Sequence, residues 1–291
     1  MKRKIKCWIE AMRLRTLPVS IAGVILAMGF AIENDTYNLT AAWLCLAFAV
    51  LSQIASNFAN EYYDFKGGLD RKGREGPRRG VTEGDISPAA MKYATFGTLA
   101  AACVIGCCLI PIGGWWLIAA GLFIAMGVIA YSAGPYPLSH HGLGEVAVLF
   151  FFGVIPVNLT YYLMTQQWNS DVVLGSISAG LMGANVLLVN NYRDHDDDKA
   201  VNKRTLAVKC GRSFASRLYL VNGCVAIVLM GDKWAEGAVW HLAIPVAYAL
   251  IHITLYLKIT QRQGRELNPF LGMTAMAMLF YCVAFTIVAL F

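Results

Sequence analysis

The sequence predicts an all-α membrane protein of about nine transmembrane helices, and three observations carry that expectation. Hydrophobic residues make up 57% of the chain and charged residues only 14%, against about 25% charged in soluble domains; the mean hydropathy is +0.54. Apolar stretches near the ~17–25 residues that cross a bilayer recur throughout. They fall at about 16–33, 40–63, 93–112, 115–133, 144–164, 172–192, 214–230, 237–257 and 270–290, the fourth and seventh being the weakest. The third observation is charge. With the N-terminus in the cytoplasm, 23 of the 24 Lys and Arg residues lie on the cytoplasmic side and only Lys233 lies outside. A miscounted span would scramble that division. The chain reads as one integral-membrane domain, 1–291, multi-pass in a cytoplasmic membrane. Its net charge of +6 sits on one face, where anionic membrane lipid accounts for it without nucleic acid.

Taken in order, Lys2, Arg3 and Lys4 precede the first span, which lacks a small-residue cleavage site and is expected to be retained. Arg13 and Arg15 enter that span as topology determinants, and Arg15 is the candidate to reach an anionic substrate head. Span two ends in Asn57-Phe58-Ala59-Asn60-Glu61-Tyr62-Tyr63-Asp64, followed by a loop with Asp70, breaking glycines and Arg79. Arginine in such a loop suits bidentate phosphate contacts. Lys92 opens span three on the same face. Span four ends in a stiff, uncharged turn, Tyr131 to Gly144, in which the adjacent His140 and His141 make a poor metal pair. Glu145, the sole acid there, is expected to satisfy neighbouring backbone or arginine groups. Span six runs into Asn190-Asn191-Tyr192-Arg193-Asp194-His195-Asp196-Asp197-Asp198 and a basic loop with Lys203 and Arg204. Spans seven to nine are almost free of ionisable groups and read as an apolar wall. The eight cysteines show no pairing or metal spacing, and nothing signals an oligomeric state.

The two Asn/Asp helix ends carry the chemistry. Carboxylates beside hydrocarbon cost several kcal/mol unless paired. On a helix, Asn190, Asp194 and Asp198 step by four and share a face, and Asn60 and Asp64 repeat the step. Hard oxygen ligands at that pitch suit Mg²⁺, and the trailing basic residues suit a diphosphate. Both ends share one membrane orientation, as a parallel duplication of a four-helix unit would give. The alternative reading is an ordinary solvated helix end, which two matched clusters favour less than one would.

These stretches resemble the UbiA superfamily of intramembrane aromatic prenyltransferases. Its N-D-x-x-D motif is matched by Asn60-Glu61-Tyr62-Tyr63-Asp64, followed by Gly68 and Asp70, and its D-x-x-x-D motif by Asp194-His195-Asp196-Asp197-Asp198. Arg-Leu-Arg-Thr-Leu-Pro at 13–18, Gly-Pro-Tyr-Pro-Leu at 134–138 and Gly-Leu-Gly-Glu at 142–145 are most similar to members of menaquinone synthesis whose acceptor is 1,4-dihydroxy-2-naphthoate. Glu61 stands where the family usually has Asp, and Asn202 where the naphthoate members usually have Gly. Asparagine tolerates left-handed backbone well enough to serve there.

The resemblance implies a ring of helices around a central cavity under a cytoplasmic cap. It implies Mg²⁺ held by Asn60, Asp64, Asp194 and Asp198, with Asp64, Asp194 and Asp198 as the catalytic acids. Asp70, Asn190, Arg79, Lys92, Tyr131, Lys203 and Arg204 join Arg15 around the substrates, a polyprenyl diphosphate and 1,4-dihydroxy-2-naphthoate. The reaction implied is prenyl transfer with loss of CO₂ and diphosphate in a bacterial inner membrane. A 4-hydroxybenzoate acceptor is the nearest alternative. A cation-coupled transporter is a more distant one, since the acids gather at the cytoplasmic helix ends rather than the midplane.

Overall fold

In a computed structural model of the chain, residues 2–35 and 37–291 are described, and every regular element among them is helical. Hydrocarbon leaves the backbone no solvent partner, so a helix that bonds its own amides is the available solution. In chain order the α-helices are α1 (Lys2–Met12), α2 (Leu17–Glu33), α3 (Leu39–Lys66), α4 (Gly80–Glu83), α5 (Pro88–Cys107), α6 (Ile110–Gly113), α7 (Leu117–Ala130), α8 (Gly144–Val148), α9 (Ile155–Thr165), α10 (Ser170–Arg193), α11 (His195–Ala200), α12 (Leu206–Cys210), α13 (Arg212–Leu229), α14 (Gly231–Glu236), α15 (Ala243–Thr260) and α16 (Asn268–Val288). A π-helical turn, Leu149–Val154, joins α8 to α9. Asn38, Ser87 and Asn169 cap α3, α5 and α10 with their side chains, which satisfies amides that have no intrahelical partner.

Eight helical segments among the described residues are long and apolar enough to cross a bilayer. The ninth expected span, 115–133, is the exception: α7 has 14 residues, about 21 Å at 1.5 Å per residue. The long helices form a ring. α3 packs on α5, α2 bridges α3, α9 and α16, and α10 packs on α13 and α16, with α15 behind α13 and α16. α1 is separate. Its Cys7 and Ala11 pack on Phe58, Val81, Ile86 and Met91, so it lies over the end of α3 as part of the cap.

The wall formed by the last three spans is less uniformly apolar inside than its sequence reading. Asn222 donates to Asn185 (3.1 Å), Asn185 to the Tyr219 carbonyl (3.0 Å) and Trp234 to the Tyr281 hydroxyl (2.6 Å), while Tyr219 and Thr274 share a hydroxyl bond (3.2 Å). Buried polar groups of this kind fix helix register because each needs its partner. Lys233, the one basic residue outside the cytoplasmic set, lies among Glu236, Asp171 and Glu33 at 2.8, 3.4 and 3.8 Å.

The π turn has an identifiable cause. Pro156 has no N–H to offer the Phe152 carbonyl, and that oxygen turns toward Gly23, where a Cβ would sit 2.9 Å away. Next to it, Gly153 lies directly on α10: a Cβ there would collide with the Gly180 backbone and the Ser176 carbonyl. Small residues allow this approach. Gly153→Ala is therefore expected to destabilise the protein by about 1–3 kcal/mol, lowering the thermal midpoint in detergent by several degrees. Gly97→Ala, which meets open space, should not lower it. Equal midpoints for the two variants would contradict the packing described.

Candidate active site

The site is assembled from two helix ends and the loops that follow them. At the end of α3, Asn60 is a hub. Its amide nitrogen donates to Asp64 Oδ2 and Ser132 Oγ, both at 3.1 Å, and its oxygen accepts from Arg79 at 3.1 Å and from Arg13. Asp64, 1% exposed, is also 3.2 Å from Lys203 Nζ and 3.2 Å from His140 Nε2. Glu61 serves the cap instead. Its carboxylate accepts the Val81 amide at 3.0 Å and so anchors α4 to α3.

At the other helix end, α10 stops at Arg193 and α11 starts at His195, with Asp194 between them. Asp194 N–H donates to the Asn190 carbonyl (3.0 Å) and Asp198 N–H to the Asp194 carbonyl (2.8 Å), so two i→i−4 bonds span the break. Asn190, Asp194 and Asp198 all line the same cavity. Arg193 braces this end with bonds of 2.7 and 2.9 Å to Asp194 and 2.7 Å to Asn190.

Cations tie the two ends together. Arg74 donates at 2.8 Å to Asp70 and at 2.8 Å to Asp194. Arg71 and the Glu75 amide hold Asp197, and Arg79 Nε is 3.4 Å from Asp70. The electrostatics are unequal across the site. Burial raises Asp194, but the Arg193 bonds and the Arg74 and Lys203 charges outweigh it and hold the carboxyl below its usual range. Burial pushes Asp198 up to about 7 and Asp70 to about 6, with Lys203 and Arg74 respectively only partly offsetting it. Lys203 and Arg74 are held in their charged forms despite burial, by Asp64 and Asp198 for the lysine and chiefly by Asp194 and Asp70 for the arginine.

The polar cavity, about 1000 Å³, is lined by Asn60, Arg13, Arg74, Arg79, Asn190, Asp194, Asp198 and Lys203. Gln53, Ser56, Tyr131, Val148 and Phe152 also line a second chamber of about 1070 Å³, walled by Phe48, Ile124, Phe151, Leu159 and Leu163 among α3, α7 and α9. A basin of cations and carboxylates thus opens into an apolar chamber. That shape fits an amphiphile with an anionic head.

Not every expected residue is brought here. Arg15, Lys92 and Arg204 are exposed and line neither chamber. The left-handed backbone at Arg13 (φ 52°) ends α1 and turns Arg13 inward, leaving Arg15 outside. Lys92 follows the buried Met91 and faces out; Arg204 contributes only its backbone, whose N–H donates to the His140 carbonyl at 3.0 Å. Asp70 supports the basin through Arg74 and Arg79 rather than lining it. The sequence reading allows that one of Arg13 and Arg15 reaches an anionic head and chooses Arg15; it gives Arg74 and His140 no role in the site. Arg74 sits in a non-helical loop, so its four-residue spacing from Asp70 carries no signal. Asn202 does take left-handed backbone (φ 57°), at the turn that delivers Lys203.

Comparison with known proteins agrees with this architecture. The chain is 32% identical to 1,4-dihydroxy-2-naphthoate octaprenyltransferase of Haemophilus influenzae, over 98% of this chain and 96% of that protein. It is 33% identical to the enzyme of the same name from Mycobacterium tuberculosis, over 95% and 94%. The fold matches that of a UbiA homolog from Archaeoglobus fulgidus, with a TM-score of 0.69 at 15% identity over 98% and 99% of the chains. A structure of an A. fulgidus UbiA homolog bound to GPP and Mg²⁺ gives 0.67 at 15% identity, over the same shares. Residues 17–279 match the model of the UbiA prenyltransferase family, and the chain belongs to that family.

Proposed function

We propose that this protein transfers a polyprenyl group from polyprenyl diphosphate to 1,4-dihydroxy-2-naphthoate, releasing diphosphate and CO₂. The observation that carries the reading is the basin of cations and carboxylates opening into an apolar chamber. The names of its relatives, which share almost their whole length with it, support the acceptor. The basin belongs on the cytoplasmic side of a bacterial inner membrane with the N-terminus inside, the orientation that places nearly all lysines and arginines on that face.

The donor set fits Mg²⁺. Among the described residues no three His, Cys, Asp or Glu side chains form a closed metal cage, but Asn60, Asp64, Asp194 and Asp198 offer hard oxygens. Three carboxylates close enough to influence one another's ionisation also call for a cation. Bound there, Mg²⁺ would neutralise charge on the leaving diphosphate.

The chain's own residues account for the rest. Arg13, Arg74, Arg79 and Lys203 surround the space for the diphosphate and oppose the charge that gathers on it as the allylic C–O bond lengthens. Phe151 and Phe152 exclude water that would quench the allylic cation. The chamber between α3, α7 and α9 holds the start of the isoprenoid tail in surroundings as apolar as the lipid. The electron-rich naphthol ring then attacks, a proton replaces the carboxyl that leaves the adjacent carbon as CO₂, and loss of the hydrogen on the prenylated carbon restores aromaticity.

Purified protein in liposomes, given Mg²⁺, a labelled polyprenyl diphosphate and either 1,4-dihydroxy-2-naphthoate or 4-hydroxybenzoate, tests the proposal. Prenylated naphthol with CO₂ is expected, reduced at least ~100-fold by Asp194→Asn; product from the benzoate alone would contradict the acceptor. Arg13→Ala should weaken turnover about tenfold or more, on the order of one charge-assisted bond, whereas Arg15→Ala should leave it within about twofold. The reverse order would contradict the basin described. Because the folded protein holds Asp198 up to about 7, the acid is protonated below that pH and the metal must displace its proton. Apparent Mg²⁺ affinity should therefore rise with pH to about 7 and level off above it. Calorimetry in buffers of different ionisation enthalpy should register proton release on binding, lost in Asp198→Asn. No release in the unmodified protein would refute this role.

A further inference from the structure

The same cavity carries a further set of polar groups, a wall that the roles given to the diphosphate and its metal leave unused. Glu145, in the first turn of α8, is 7% exposed. Its Oε1 accepts from Asn191 Nδ2 at 2.8 Å, while Oε2 is buried without a hydrogen-bond partner. The sequence reading expected it to satisfy neighbouring backbone or arginine groups; its own backbone amide lies against the carboxylate, and among the described residues no arginine hydrogen-bonds to it, its side-chain partner being Asn191. Two further buried hydroxyls on this cavity, Ser139 Oγ and Thr205 Oγ1, also lack partners. The three orphans come from three separate segments, the turn after α7, α8 and the residue before α12. The Tyr131 hydroxyl stands beside them, 3.5 Å from where a Cβ on Gly144 would lie.

Leaving a buried carboxylate oxygen unsatisfied costs more than a typical hydrogen bond returns. Buried oxygens without partners on one cavity, these three and Gln53 Oε1, suit a ligand that brings hydroxyl or carboxylate groups of its own. The same cavity is also lined by Val148, Phe152, Val186 and Leu187, which suits a flat aromatic body. We propose that this wall binds the aromatic acceptor and that Glu145 Oε2 takes the proton of an acceptor ring hydroxyl, an inference that rests on the acceptor reading above.

The step balances. The hydroxyl proton moves to Glu145 Oε2, and the O–H pair becomes a C=O bond as a ring π pair bonds the allylic carbon. The allylic C–O pair leaves on the diphosphate. When CO₂ departs, its bonding pair stays on the ring carbon, which takes the proton back from Glu145. The hydrogen on the prenylated carbon passes to the carbonyl oxygen, and the hydroxyl is restored. Removing the hydroxyl proton as the ring attacks avoids building a full positive charge on the acceptor, which is where a general base contributes. Asn191 is the positioning residue that aims Oε2 into the cavity.

Glu145→Gln keeps the shape and the Asn191 bond and removes the basic oxygen. In liposomes with Mg²⁺, polyprenyl diphosphate and 1,4-dihydroxy-2-naphthoate, its kcat is expected to fall about 100-fold or more. Its affinity for a non-ionisable polyprenyl thiolodiphosphate and its thermal midpoint should match those of the unmodified protein run alongside. Activity within about threefold would overturn the proposal, and so would a loss of turnover matched by an equal loss of thiolodiphosphate affinity, which marks a brace for the basin. If the glutamine variant does not fold, Glu145→Asp takes its place: the withdrawn carboxylate should cost kcat about tenfold, and an unchanged kcat would overturn the assignment. An unmodified protein that fails with this acceptor and works with another would instead sink the acceptor reading.

Discussion

The structure depends on how four buried or half-buried carboxylates, Asp64, Asp70, Asp194 and Asp198, are held near one another at the edge of hydrocarbon. Left unpaired, each would cost several kcal/mol. Arg74 spans Asp70 and Asp194, and Lys203 reaches Asp64, so both cations belong jointly to the two helix ends. Removing one cation would release charge on both sides of the cavity at once. The compensation is incomplete. Asp198 remains pushed toward neutrality, which leaves the site with an appetite for a further cation, the requirement of a centre that must stabilise a departing diphosphate.

The membrane fold follows from where this charge has to sit. The loops after α3 and α10 lie outside the apolar spans and can be polar, while the helices delivering them must be apolar. The chamber below the basin is walled by the same helices that carry the acids: α3 gives Phe48 and Ala49 to the chamber and Asn57 and Asn60 to the basin. A substrate with an anionic head and a lipid tail therefore finds both surroundings along one helix. The π turn at Leu149–Val154 contributes to this shape, since it gives Phe151 to the apolar chamber and Phe152 to the lining of both chambers.

Much of this was legible in the sequence because it rests on periodicity. The step of four in Asn60–Asp64 and Asn190–Asp194–Asp198 is local, and two backbone bonds, Asp194 to Asn190 and Asp198 to Asp194, span the point where α10 gives way to α11. The spans were legible from run length, and the shortness of α7 falls where the apolar stretch was weakest. Long-range direction was not legible. Whether Arg13 or Arg15 points inward is decided by one left-handed residue between α1 and α2. His140 reaches Asp64 across 76 residues, and nothing local in the turn announces it. Glu145 looked like a capping acid because its partner Asn191 lies 46 residues away, and an oxygen left without a partner is visible only once the walls around it are in place.

The central claim, that one molecule places its diphosphate in the basin and its tail in the apolar chamber, is tested most directly by photolabelling. A polyprenyl diphosphate bearing a diazirine in its first isoprene units would be irradiated with the protein in liposomes, with and without Mg²⁺, and the labelled residues mapped by mass spectrometry. The account predicts Mg²⁺-dependent labelling of Phe48, Ile124, Phe151 and Leu159. Labelling confined to lipid-facing residues such as Leu122 and Leu250, indifferent to Mg²⁺, would contradict it.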